Sequence, residues 1–126
     1  MNHQKFQLRF VAYSLFLFSC LPVHATVDLF NGKDLSGWIG KKKFWKVENG
    51  TIIGETTKEN PTKGNTFLIW EGGEVKDFEF SCQVKFQGNN SGVQYRSQPV
   101  GNIKDCVLRG YQADLHPKQD FFGMLY

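Results

Sequence analysis

Downstream of residue 25 the apolar residues come in short runs separated by Gly, Asn and Asp, and none sustains the 3.6-residue period of a helix. That pattern argues against a helix bundle. Several runs alternate apolar and polar residues, the period of a strand with one covered face. In residues 78–86, Phe78, Phe80, Cys82, Val84 and Phe86 fall on one side, and Glu79, Ser81, Gln83 and Lys85 on the other. This predicts the clearest strand of the chain, with Cys82 packed inward as a small hydrophobe. Residues 91–96 set Val93 and Tyr95 against Gln94 and Arg96; residues 110–115 set Tyr111, Ala113 and Leu115 against Gln112 and Asp114. Shorter strands are expected at 27–30, 44–47, 51–53 and 66–70. Asn49-Gly50 is a strong hairpin signal, because both residues tolerate positive φ. Thirteen glycines against four prolines fit so turn-rich a chain. The sum is an all-β fold, an antiparallel sandwich or barrel.

The first 25 residues read as an address. Lys5 and Arg9 form a basic region, residues 10–21 an apolar run, and Val23 and Ala25 put small residues at the −3 and −1 positions of a cleavage site. About twelve apolar residues fall short of the roughly 20 that a helix needs to span a bilayer, so no stable membrane span is expected. The expectation is an exported protein, periplasmic or secreted, with a domain over residues 26–126. Leu17-Phe18-Ser19-Cys20 loosely resembles a bacterial lipoprotein box, but the bulky Phe18 fits poorly, which leaves anchoring through Cys20 as the lesser alternative. About a hundred residues then remain, enough for one core and too few for two packed domains.

Charge and cysteines narrow the function further. The net charge of +3 shrinks when Lys5 and Arg9 leave, so there is no electrostatic case for nucleic acid. Cys82 and Cys106 either pair in an oxidising compartment or stay free. No Cys or His stands at zinc spacing. Asn89-Asn90-Ser91 is a glycosylation-type sequence, of consequence only in a eukaryotic secretory route. Residues 121–126 form an aromatic-rich run with no polar tail. It reads as a strand just begun, so the domain is expected to be incomplete at Tyr126.

Five segments carry a resemblance. Asp28-Leu-Phe-Asn-Gly-Lys-Asp-Leu-Ser-Gly-Trp38, Trp45-Lys-Val-Glu-Asn-Gly50, Asp77-Phe-Glu-Phe80, Asn90-Ser-Gly-Val-Gln-Tyr-Arg-Ser97 and Gly110-Tyr-Gln-Ala-Asp-Leu115 together resemble, in order, the bacterial 3-keto-disaccharide hydrolase family. Phe122-Gly-Met-Leu-Tyr126 resembles a further family segment, with Phe122 where tryptophan is usual. The resemblance implies a concanavalin-like jelly-roll β-sandwich with a sugar site on its concave sheet. It also implies that this chain holds the N-terminal part of such a domain.

The residues point to the same region. If the strands of Arg96 and Asp114 neighbour one another, Gln94, Arg96, Gln112 and Asp114 share a polar face, with Glu79 at its border and Asn90 at its entrance. Asp, Gln and Arg offer the planar donors and acceptors that sugar hydroxyls take. Trp38, Trp45 and Trp70 are candidate apolar platforms, with Trp45 read as core. The competing reading is a solvated strand face with a cross-strand Arg96–Asp114 ion pair. Lys41-Lys42-Lys43 reads as a solvated loop, and His116 as a loop residue with a lesser chance of acid–base work.

A ketone at sugar C3 acidifies the C2 proton, and the glycosidic oxygen at C1 then lies β to the carbanion. Elimination followed by addition of water would amount to hydrolysis, with Asp114 as base and Arg96 or a divalent metal stabilising the enolate. Two classes of function therefore stand: an exported hydrolase or lyase of 3-keto-disaccharides, and a non-catalytic carbohydrate-binding or adhesion module on the same sandwich.

Overall fold

The computed structural model describes residues 26–88 and 90–126. The leader over residues 1–25, the Cys20 alternative and the glycosylation-type Asn89 lie outside the described residues. The strands are β1 (Trp38–Ile39), β2 (Trp45–Glu48), β3 (Thr51–Gly54), β4 (Ile69–Trp70), β5 (Ser91–Pro99) and β6 (Leu108–Leu115), with single 3-10 turns at Ile103–Asp105 and Gln119–Phe121. They pair as three antiparallel ladders, β1–β4, β2–β3 and β5–β6. The fold is all-β, with the antiparallel pairing that a sandwich requires. Among the described residues no helix is long and apolar enough to cross a membrane.

The β2–β3 hairpin follows from its turn. Asn49 and Gly50 have φ of 50° and 70°, the double left-handed conformation whose twist matches that of the flanking strands. Pairing then runs unbroken from Trp45↔Gly54 to Glu48↔Thr51. A side chain at Gly54 would collide with the Trp45 ring, and one at Gly40 would come within 3.2 Å of it, so the indole packs against two bare stretches of backbone. Trp45 was expected in the core and is half-buried there, with its indole N–H buried and without a partner among the described residues. Phe44 beside it is buried, and Lys43 sits 4.4 Å above the Phe44 ring.

Residues 27–30 form no strand. The chain is instead turned by side chains competing for backbone. Asn31 Oδ1 accepts from the N–H groups of Lys33 (2.8 Å) and Asp34 (3.0 Å), and Asp34 Oδ1 accepts from Asn31 Nδ2 (2.8 Å) and the Ser36 N–H (2.9 Å). Hydrogen bonds from Ser36 and then Asn31 lower the Asp34 pKa to about 2. Behind this knot the Trp38 indole donates to the Leu29 carbonyl at 3.0 Å. Residues 66–70 shorten to β4, where Trp70 faces Trp38 across the ladder.

The run at 78–86 is the main departure from expectation. It is a strand in alternation only: it enters no ladder, and Phe78, Phe80, Cys82 and Val84 are exposed. Alternation assigns residues to faces, but a strand also needs a neighbour for its N–H and C=O groups, and none of the described residues provides one. Cys82 is therefore not packed inward. It and the buried Cys106 are both free thiols.

The C-terminal run joins the ladder at an isolated bridge. Ala113 bridges Leu125, Gln112 and Tyr126 exchange backbone hydrogen bonds of 3.1 and 2.9 Å, and the Gly123 N–H donates to the Asp114 carbonyl at 2.7 Å. Strand β6 thus has β5 on one edge and this segment on the other.

Candidate functional site

Register on the β5–β6 ladder builds the polar face. Gln94 stands opposite Gln112, and Gly92 opposite Asp114. Because Gly92 has no side chain, Gln112 lies across it; a Cβ there would collide with the Gln112 side chain. From that position Gln112 Nε2 donates to Asp114 Oδ1 at 2.8 Å. Asp114 is only 7 % exposed, the one buried charged side chain among the described residues. A carboxylate out of water needs hydrogen-bond partners, and the amide provides one while fixing the group's orientation.

Arg96 does not join this face. Between Tyr95↔Tyr111 and Gln98↔Arg109 the ladder carries two residues on β5 against one on β6, a β-bulge. Arg96 occupies it with φ 47°, a conformation that costs a side-chain-bearing residue about 1 kcal/mol or more. Ser97 takes the place against Gly110, where any Cβ would collide with it. The Arg96 guanidinium donates to the Lys76 carbonyl at 3.1 Å and lines a groove with Gln98, Pro99, Val100 and Arg109. Four residues of extended strand, roughly 13 Å, separate Gly110 from Asp114. Arg96 and Asp114 form no cross-strand ion pair, and the bulge turns Arg96 away from the Gln112–Asp114 face. Ion pairs among the described residues join Lys46 to Glu48 (2.9 Å) and Glu55 (3.9 Å), all exposed.

The remaining candidates scatter. Glu79 is exposed on the unpaired 78–86 segment and Asn90 is exposed at the entry to β5; neither hydrogen-bonds to the Gln112–Asp114 pair. Trp38 and Trp70 form their own half-buried pair on β1–β4. His116 is a loop residue whose Nδ1 accepts from the Lys118 N–H at 3.1 Å, with its ring edge-on to Phe121. Lys41, Lys42 and Lys43 are exposed, as a solvated loop requires. No group of three His, Cys, Asp or Glu side chains that could hold a metal ion occurs among the described residues. Gly92, Ser97 and Arg109 were not singled out by the sequence reading. Glycines inside alternating strands were the available signal, since they mark bulges and close approaches.

These segments can be set against known proteins. The family model of the 3-keto-alpha-glucoside-1,2-lyase-like domain matches residues 25–126. The chain belongs to this family. A 3-keto-disaccharide hydrolase of Bacteroides thetaiotaomicron is 33% identical to it, over 64% of this chain and 31% of that protein. The chain thus spans under a third of that relative's length. No solved structure matches it. All five segments that carry the resemblance fall inside the matched residues, as does the Gln112–Asp114 pair.

Proposed function

We propose that the protein cleaves the glycosidic bond of 3-keto-glycosides by elimination, with Asp114 as the general base. The observation that carries this is the buried Asp114 carboxylate, held by Gln112 across Gly92. Asp114 takes the C2 proton of the sugar, and the C2–H electron pair delocalises onto the C3 oxygen as an enolate. The enolate returns its electrons, the C1–O bond breaks, and the leaving oxygen takes up a proton. Water adding at C1, with a proton returning to C2, restores the 3-keto sugar and makes the net reaction a hydrolysis.

Enolate charge needs donors close by. Gln94, directly opposite Gln112, supplies an amide on the same strand pair. Arg96 lies apart from this pair at the bulge. A divalent metal would need several oxygen ligands, and no three His, Cys, Asp or Glu side chains lie together among the described residues. We further propose export through residues 1–25, with cleavage after Ala25, to be read by N-terminal sequencing of the exported protein.

Turnover of a 3-keto-glucoside in deuterated water tests the chemistry. Elimination places deuterium at C2 of the product beyond the level in substrate kept without protein; direct hydrolysis leaves no such excess. Sugar binding with no turnover would instead establish a non-catalytic module.

A further inference from the structure

The Arg96–Arg109 groove stands apart from the Asp114 face. By strand alternation Arg109 projects from the side of β6 opposite to Gln112 and Asp114, and the bulge brings Arg96 to the same groove. The groove is an open concavity of about 380 Å³, and its lining contains two guanidiniums, one amide and no carboxylate. Neither arginine forms an ion pair among the described residues. The leader and Asn89 contain no acidic residue, so every Asp and Glu of the chain is among those described. Two like charges share a concavity without a counterion, an arrangement that attracts an anion.

We infer that this groove is a binding site for the carboxylate of an acidic sugar. Lys76 occupies a single guanidinium donor of Arg96 and fixes its plane, leaving its other N–H groups for a ligand. Planar guanidiniums match a planar carboxylate bidentately, and the Gln98 amide adds a donor and an acceptor for a hydroxyl. Pro99 and Val100 form an apolar wall, on which a bare inorganic ion gains nothing and the C–H face of a sugar ring gains contact. The carboxylate preference rests on the groove, and the sugar on the family's carbohydrate chemistry; neither depends on Asp114 being a base.

Backbone amide shifts of the protein, titrated with sodium glucuronate, glucose, acetate and inorganic phosphate, test it. Glucuronate is expected to perturb residues 96–100 and 109 and to bind about tenfold tighter than the other three, the worth of a charge-assisted hydrogen bond. Arg109→Gln should weaken glucuronate binding roughly tenfold. Arg109→Lys, which keeps the charge and loses the fork, should fall between; it decides the matter if Arg109→Gln alters the whole spectrum. Equal binding of glucose removes the carboxylate preference, and equal binding of acetate or phosphate removes the sugar. Absence of shifts, or no effect of either Arg109 variant, overturns the site.

Discussion

The two hairpins of this chain solve the same problem differently. β2–β3 is four residues against four, closed by Asn49-Gly50, with no break in register. Its charged residues, Lys46 and Glu48, face water. β5–β6 is twice as long and joined by a loop with its own 3-10 turn. It is interrupted at Arg96–Ser97 and needs the absence of a side chain at both Gly92 and Gly110. The regular hairpin is set by turn chemistry within a few residues. The irregular one holds the buried Asp114 carboxylate, with the exposed Arg96 and Arg109 guanidiniums beside its bulge. Irregularity here coincides with the one buried charged side chain among the described residues.

Four substitutions would break or sharpen that contrast. Asp114→Asn preserves the shape and loses the base, so turnover of a 3-keto-glycoside should fall by about 10²-fold, about 2.7 kcal/mol of barrier; full activity in this variant would remove Asp114 from the chemistry. Gly110→Ala places a Cβ 2.6 Å from the Ser97 Cα, backbone that cannot swing away. A loss of about 2 kcal/mol is expected in denaturant unfolding, and an unchanged midpoint would mean that the bulge is soft. Gly50→Ala makes only an ordinary contact, 3.6 Å from the Gly32 carbonyl oxygen, but must adopt φ 70°, which should cost about 1 kcal/mol. Lys46→Gln should be the mildest. Glu48 above all raises the Lys46 pKa, so the pair's contribution is present below the unfolded value of 10.5 and lost as pH rises through the folded one. At such an exposed site the variant's melting temperature near neutral pH should match the parent's once salt is raised.

The parts of the fold legible in the sequence are those fixed by neighbours in the chain. Asn49-Gly50 specified its own turn, and the alternation at 91–96 and 110–115 assigned the faces of β5 and β6. Residues 78–86 carried an equally clear alternation and formed no ladder, because pairing depends on a distant partner that the pattern does not name. In the site, Gln94, Gln112 and Asp114 could be grouped by period alone. Arg96 could not, because one extra residue in the ladder redirects everything at that point, and the bulge leaves little trace beyond Gly110 opposite it. The hold of Gln112 on Asp114 depends on Gly92, whose meaning appears only when the strands are in register.

Cysteine gives the contrast a last expression. Cys106 is 1 % exposed and left-handed at φ 57°, in the β5–β6 loop, where its carbonyl accepts from the Phe67 N–H at 3.0 Å. Cys82 lies exposed on the unpaired segment. An alkylating reagent meets one thiol at once and the other only when the loop lifts away from residue 67, so the lag between the two modifications is a clock for local opening. The two described cysteines thus measure how often the longer hairpin comes apart.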